Sequence, residues 1–266
     1  MIVESLNDEQ NLNDNSAITR AAQAAPSLSL IFRPGERPAV ADVLRLLQSR
    51  EGATGWTVCH QPKPSAGCLK IIAGGLTFAL SCLAPATPAP IPDMAHWYGF
   101  RETPPTDLAE AITLSLGKDL CGGTNALPVI RAMAGLAARL TKLDHVMVVV
   151  WHPARCAMAP LAFAAAIGSW LLGGAFPALG LTALFRDADG AIRSEGLAFF
   201  TGQELLIEPA PGTTTALDGK IAARLINHLV GIDSIYRRFD FIGPSGEHLS
   251  AEPSGNDWLL RVWRKS

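Results

Sequence analysis

The feature that most constrains this chain is the stretch from residue 156 to residue 185, in which no side chain is charged. About 18 or more consecutive apolar residues are typical of a membrane-spanning helix. Turn-forming residues interrupt the stretch, however, at Pro160, at Gly173-Gly174 and at Pro177. Its flanks also lack the basic bias that orients a single span. We therefore expect a buried Ala-rich helix, a turn and a strand, and we regard membrane insertion as the less favoured alternative.

The composition is that of a globular protein with a large core. Of 266 residues, 48% are hydrophobic and 17% are charged, against about 25% charged in an average soluble domain. A chain of this length buries roughly three quarters of its unfolded surface, so it needs neither disulfides nor metals for stability. The net charge is −2 and the basic residues are scattered, which disfavours a nucleic acid as partner.

Cysteine usage and the N-terminal residues bear on the compartment. The five cysteines are odd in number and include no CxxC pair, so we expect buried thiols in a reducing cytoplasm. Residues 1–27 are polar and acidic, without the basic and apolar regions of a secretory signal. We expect them to form a flexible arm.

The first half of the chain shows strand and helix patterns in the order β-α-β-β-β. We predict a strand at residues 28–32, a helix in "AVADVLRLLQSR", and strands in "GWTVCH" and "CLKII". Ala73-Gly74-Gly75 predicts a hairpin that returns through "LTFALSCLA". The proline-rich residues 85–105 then predict a covering loop, which we take as the boundary between subdomains 28–84 and 106–266.

The second half begins with a predicted strand in "EAITLSL" and a helix over about residues 126–141, capped by Thr124 or Asn125. The continuous apolar run "HVMVVVW" predicts a central strand buried on both faces. An antiparallel meander follows the Ala-rich helix through "ALGLTALFRD", "AIRSEGLAFF" and "ELLIE". We then expect an amphipathic helix in "LDGKIAARLINHLVGI" and an edge strand in "DWLLRVWRKS".

These patterns together predict an α+β fold, with a largely antiparallel mixed sheet and helices packed on it. Residues 28–266 would form a single domain, or two similar β-α-β-β subdomains.

The middle and C-terminal portions of the chain resemble a known family. The resemblance is carried by the strand "EAITLSL", the helix "LPVIRAMAGLAARL", the strand "HVMVVVW" and the segment "ALGLTALFRDADGAIRSEGLAFFTGQELLIE". It is a resemblance to a bacterial family called domain of unknown function 4261, and it covers about residues 28–231. Residues at the family's expected places are Asp189, Gly190, Gly196, Leu197, Glu204 and Leu205. The chain departs from the family at "VVVWHPARC". The resemblance implies the fold; the family has no established activity that it could imply here.

One loop has the composition of an anion site. "GKDLCGGTN" stands between a predicted strand and a predicted helix, where backbone N–H groups and the helix N-terminus would favour an anion. The binding residues would be Lys118, Gly122, Gly123 and Thr124. The lysine precedes the glycine pair, which is the wrong order for a P-loop. We favour an ordinary β-α turn over a phosphate site.

Other reactive side chains lack a complete pattern. Cys121 could act as a nucleophile with His145 or His152 as base, but packing is the more common role of a lone cysteine. His152 and Cys156 are spaced as two metal ligands, yet no second pair accompanies them. Cys59 and His60 point to opposite faces of a strand. Glu204 and Glu208 we interpret as a solvated strand face. We therefore predict no metal, no cofactor and no assigned catalytic residue.

An aromatic cluster lies in the proline-rich segment, at His96, Trp97, Tyr98 and Phe100. Such a cluster is either a lid over the core or an exposed interaction patch. We favour the lid, because large exposed apolar patches are uncommon on monomers.

These patterns favour a cytoplasmic, non-enzymatic binding protein with a protein partner, either an adaptor or an immunity-type partner of a secreted effector. The alternative is a phosphate- or nucleotide-handling enzyme that uses residues 117–125.

Overall fold

The computed structural model describes residues 26–49, 56–59, 67–117, 125–209, 215–232, 234–244, 246–255 and 257–265. The chain divides into two compact units between Ala175 and Phe176. Each unit combines a mixed, mostly antiparallel sheet with helices, which confirms the α+β class predicted from the sequence.

The N-terminal unit contains an eight-stranded sheet in the order β2-β3-β4-β6-β1-β7-β8-β5. Neighbouring strands are antiparallel except β5 and β8, which are parallel. The strands are β1 (Ser27–Phe32), β2 (Trp56–Cys59), β3 (Leu69–Ala73), β4 (Leu76–Ser81), β5 (His96–Tyr98), β6 (Glu110–Leu116), β7 (Val146–Trp151) and β8 (Cys156–Met158). The helices are α1 (Val40–Gln48), α2 (Leu127–Leu140) and α3 (Pro160–Leu171).

Side chains of the central strands alternate between two covered faces. Along β1, Leu28 and Leu30 point to the face that α2 and α3 cover, and both are fully buried. Ile31 points to the opposite face and packs with Val148 and Val150 of β7. Because both faces are covered, β7 is a nearly continuous apolar run, as the sequence predicted.

The proline-rich segment covers this second face and is not a boundary between subdomains. Its residues Ile91, Met94, Trp97 and Phe100 pack against the buried cluster around Ile31. Within the segment, residues 96–98 form β5 and extend the sheet. Moreover, β4 pairs directly with β6, so strands on both sides of the segment share one sheet. The predicted division at residues 85–105 is therefore wrong.

The C-terminal unit contains a six-stranded sheet in the order β12-β13-β14-β11-β10-β9, antiparallel except for the β11–β14 pair. Its strands are β9 (Ala183–Arg186), β10 (Ile192–Glu195), β11 (Glu204–Ile207), β12 (Phe239–Ile242), β13 (His248–Pro253) and β14 (Leu259–Arg264). A short helix α4 (Ala198–Thr201) precedes β11, and α5 (Thr215–Leu229) packs against β10 and β11 through buried Ile221, Leu225 and Leu229.

Two predictions for this unit were wrong in detail. The stretch "AIRSEGLAFF" is a strand only to Glu195, because the chain turns at Gly196, where φ is +84°, and continues into α4. The C-terminal strand β14 is not an edge strand, since it lies between β11 and β13. Leu260 and Val262 of β14 are buried.

The uncharged stretch folds as the turn signals predicted, into β8, α3 and, after a turn, β9. On α3, Phe163, Ile167 and Trp170 are buried, whereas Leu161 is 87% exposed. Within the described residues, no helix combines the length and the apolar character that crossing a membrane requires. The arm predicted for residues 1–27 lies almost entirely outside the described residues.

Candidate functional site

An apolar groove runs between α5 and β12 at one edge of the C-terminal sheet; we call it the β12–α5 groove. Its volume is about 230 Å³. It is lined from α5 by Ile221, Arg224, Leu225 and His228, and from β12 and the turn that follows it by Phe239, Phe241, Ile242 and Pro244. Ile221 and Leu225 form its buried floor, and Ile242 is 55% exposed at its rim.

The strand that borders the groove, β12, is an edge strand of its sheet. Among the described residues, β12 pairs with β13 on one side and has no strand on the other. The register joins Phe239 to Ala251 and Phe241 to Leu249. A row of backbone N–H and C=O groups on such an edge is a ready template for a further strand.

The charged side chains beside the groove are basic. Arg224 lines it and is exposed, and Lys220 lies one turn earlier on the same stripe of α5, whereas the exposed imidazole of His228 lines the groove one turn later. None of the described lining residues carries a carboxylate. Asp240 of β12 accepts hydrogen bonds from Ser250 and Lys265 on the other face of the sheet. The groove therefore favours a ligand that is apolar at its centre and acidic at its ends.

Sequence reasoning missed this site, because it assigned no element to residues 239–253. A usable signal was present: the first three residues of "FDFI" alternate apolar and polar side chains, and "GPSGE" directly after it is rich in turn formers. That pattern is typical of a hairpin, which the structure forms between β12 and β13.

The predicted aromatic patch is half-buried and forms part of a strand. His96, Trp97 and Tyr98 make up β5, and all three are intermediate in exposure, as is Phe100. Trp97 and Phe100 pack edge to face, with ring centroids 5.6 Å apart, over the cluster around Ile31. This packing supports the lid interpretation for these two residues. Phe100 also borders a surface groove of about 660 Å³ with Leu108 and Met147.

Residues 118–124 of the predicted anion loop lie outside the described residues, and these include Lys118, Gly122, Gly123 and Thr124, together with Cys121. The phosphate-site and nucleophile hypotheses that use these residues stay predictions. What the structure does describe is the helix after the loop. The N-cap of α2 is Ala126, which has no side-chain cap, in place of the predicted Thr124 or Asn125. A proline stands in the first turn of α2, where the backbone N–H that proline lacks would have no partner within the helix.

His152 lies against two serines of β1. Its Nδ1 is 2.9 Å from Ser27 Oγ and its Nε2 is 2.9 Å from Ser29 Oγ. Burial lowers the pKa of His152, so the neutral ring, with one donor and one acceptor nitrogen, is favoured. Ser29 is fully buried and also lies 3.3 Å from Thr113 Oγ1 on β6. Both ring nitrogens of His152 therefore have a serine hydroxyl within hydrogen-bond distance.

Glu204 is buried, and the prediction of a solvated carboxylate face is wrong. Its carboxylate accepts hydrogen bonds from the backbone N–H groups of Gly196, Leu197 and Ala198 and from the Ser194 hydroxyl. Burial raises the pKa of Glu204 to about 7, although these hydrogen bonds oppose the rise. Glu208 lies beyond the strand and is paired with Arg261. The two carboxylates do not form a pair.

No match to this chain was found among protein-family models, curated proteins or solved structures. The resemblance to the family of domain of unknown function 4261 stays a prediction.

The cysteines and candidate metal ligands are dispersed. Cys156 is buried, whereas Cys68 and Cys82 are half-buried. The side chains of Cys59 and Cys121 lie outside the described set. Across the residues that the structure describes, His, Cys, Asp and Glu form no group of three or more that could hold a metal ion.

Proposed function

We propose that this protein is a non-enzymatic binding protein that holds another protein in the β12–α5 groove. The observation that carries this proposal is the groove itself, in which an apolar floor, an open strand edge and a basic rim occur together. In the cell, the protein would act as an adaptor or as an immunity-type partner of a secreted effector.

Exposed apolar residues in the segment that leads into β12 support this role. Ile232 is 40% exposed and Tyr236 is 69% exposed, and both lie in the segment that connects α5 to β12. Arg237 is exposed in the same segment. Single exposed apolar residues are normal on any protein. Tyrosine, arginine and apolar residues gathered at one place are typical of the centre of a protein interface.

The size of the groove supports a protein ligand over a metabolite. Its volume of about 230 Å³ is below the range of about 300–1,000 Å³ that is usual for small-molecule sites. A row of alternate side chains from an extended chain fits such a narrow space. We further propose that the protein acts in the cytoplasm, because Cys68 and Cys82 carry free thiols, which suits a reducing compartment.

Site-specific photo-cross-linking tests the proposal. A photoreactive phenylalanine would replace Ile242 at the rim of the groove, and the matched control would carry it at exposed Arg186 on β9, the opposite edge of the same sheet. In the native host we expect one protein to cross-link from position 242 and not from position 186. That protein, once purified, should bind the wild type and lose about 10-fold in affinity with Phe241→Ala, since truncating a large apolar contact removes roughly 1.4 kcal/mol or more.

The proposal is wrong if position 242 yields no cross-linked protein while the protein is expressed and folded. It is equally wrong if the two positions cross-link the same proteins, or if Phe241→Ala leaves the affinity of the purified partner unchanged.

A further inference from the structure

We propose that the ligand of the β12–α5 groove is an extended, acidic segment of the partner protein, which adds to β12 as a further antiparallel or parallel strand. This inference rests on the proposed function and specifies how the groove is used. It follows from the direction of the backbone groups of β12, from the side chains that face α5, and from the charge of the rim.

The hydrogen-bond register shows which backbone groups of β12 are directed outward. The Gly243 N–H donates to the Glu247 carbonyl at 2.8 Å. In antiparallel pairs, directly bonded residues alternate with non-bonded ones. Phe241 and Phe239 therefore bond to β13, and the N–H and C=O groups of Asp240 and Ile242 point to the open edge.

The next strand pair gives the same result independently. Lys265 donates its N–H to the carbonyl of His248 at 2.9 Å, so the backbone groups of His248 are directed to β14. By the same alternation, Leu249 and Ala251 are directed to β12. Two donors and two acceptors of β12, those of Asp240 and Ile242, are thus positioned for an added strand.

The side-chain directions determine the pattern of the added strand. Phe239 and Phe241 face α5, whereas Asp240 lies on the face of Ser250 and Lys265. In a strand beside β12, every second side chain would point to the α5 face. Those side chains would contact Phe241 and the buried floor of Ile221 and Leu225, so they should be apolar.

The rim determines the charge of the ligand. Arg224 and His228 stand beside the groove, and Lys220 continues their stripe along α5. Acidic side chains on the α5 face, outside the apolar positions, would reach this stripe. Strand addition provides main-chain affinity while side chains and charge give the specificity. This combination commits the groove to an acidic extended segment rather than to a helix or a basic peptide.

Defined peptides test the inference in the full-length protein. The probe is Glu-Thr-Val-Thr-Val-Thr-Glu, whose valines and terminal glutamates share one face of a strand. Its matched control replaces both glutamates by lysine. A second control carries N-methyl groups on alternate backbone nitrogens, which block bonding along one edge. We expect the acidic peptide to bind about 10-fold more tightly than the lysine peptide, a difference of about 1.4 kcal/mol. Amide exchange at Asp240 and Ile242 should slow when the acidic peptide binds. N-methyl groups can be placed on either set of alternate nitrogens, and one of these two placements should abolish peptide binding.

Two pairs of variants separate the backbone contribution from the charge. Ile242→Pro removes an outward N–H without touching the bonds to β13, and edge strands tolerate proline at such positions. Ile242→Pro should weaken binding of the acidic peptide about 10-fold. Ile242→Ala, which keeps the N–H, should weaken this binding by about 3-fold at most. Arg224→Glu should reverse the preference between the two charged peptides, whereas Arg186→Glu should leave it unchanged.

Several results would overturn the inference. These are unchanged peptide binding by a folded Ile242→Pro variant, equal binding of the acidic and lysine peptides, and a dimer of this chain that Ile242→Pro dissociates. A peptide of this chain's own residues 1–10 that outcompetes the acidic probe would also overturn it, because the ligand would then be intramolecular. Should Ile242→Pro fail to fold, the N-methylated peptides still decide. If a partner cross-links at position 242 but no amide of β12 becomes protected, the proposed function stands and strand addition is wrong.

Discussion

The carboxylate of Glu204 lies 2.8 Å from the backbone nitrogen of Gly196, in the turn that joins β10 to α4. The backbone nitrogens of Leu197 and Ala198 donate to the same carboxylate at 3.2 Å and 3.0 Å. A side chain at the start of β11 therefore holds the turn that precedes it. The pKa of this buried group links the turn to pH.

We expect Glu204 to make the protein less stable as the pH rises towards neutrality. Burial raises its pKa from 4.5 to about 7. Between these values the folded state holds a proton that the unfolded chain has released, so the free energy of unfolding falls with rising pH. The contribution of Glu204 is full below pH 4.5 and is lost by about pH 7, and it amounts to about 3 kcal/mol at most.

The measurement compares the wild type with Glu204→Gln by urea unfolding at several pH values. The difference in the free energy of unfolding between the two proteins should change in that direction between pH 4.5 and 7, because only the wild type titrates at this position. A difference that stays constant with pH would contradict the raised pKa.

The Ser29–His152 contact should stabilise the N-terminal unit. Ser29→Ala leaves one nitrogen of the buried ring without its partner, which costs about 1–3 kcal/mol. Thr113→Val is the matched control and should cost less, since its 3.3 Å contact with Ser29 is longer. Because burial lowers the pKa of His152, the stability it contributes is full above about pH 6.5, the usual histidine pKa, and is lost as the pH falls below it. Chemical unfolding at pH 7.5 and at pH 5.5 measures both effects, and equal losses for the two variants would contradict this role of Ser29.

Substitutions on the exposed side of α3 should affect stability far less than a substitution on its buried side. Leu161 is 87% exposed and Leu172, its C-cap, is 92% exposed, whereas Ile167 is 1% exposed. Leu161→Glu and Leu172→Glu should change stability by no more than about 0.5 kcal/mol. Ile167→Ala should cost about 2–5 kcal/mol through lost packing and a residual cavity. Thermal unfolding of the three variants provides the comparison, and strong destabilisation by Leu161→Glu would show that this side of α3 is covered.

We expect the protein to lose stability even when Arg37 is replaced by lysine. Its Nε donates to Glu110 at 2.7 Å, and its other nitrogens donate to the carbonyls of Cys82 and Ala86. Only 7% of the Arg37 side chain is exposed. Arg37→Lys keeps the charge but leaves carbonyls unpaired, so we expect a loss approaching the roughly 3–5 kcal/mol seen for broken buried pairs.

Arg45→Lys is the control for this substitution, because Arg45 forms an exposed ion pair with Asp42. Its effect should stay within about 0.5 kcal/mol. Urea unfolding of the two variants measures both losses, and similar small effects would contradict the role assigned to Arg37.

The local elements of this protein could be predicted where a pattern and its turn lie close together in the chain. The hairpin at Gly74-Gly75, the helix at residues 40–48 and the division of the uncharged stretch by prolines and glycines all follow from neighbouring residues. Likewise, the buried stripe of Ile221, Leu225 and Leu229 follows from helical spacing alone. Little of the candidate site could be predicted, because β12 was not assigned and the predicted anion loop is a separate region.

Local sequence patterns were enough to predict most of the helices and the strands that are flanked by clear turns, since backbone preference and side-chain periodicity are properties of a few adjacent residues. The pairing of strands that lie far apart in the chain emerged only in the tertiary structure. That structure placed β14 inside its sheet beside β11, added β5 to the edge of the other sheet, and buried Glu204 under the turn at Gly196. Pairing of strands that are distant in the chain depends on burying both their faces and bonding their edges, so no short pattern encodes it. The open edge of β12 beside α5 is a product of that pairing.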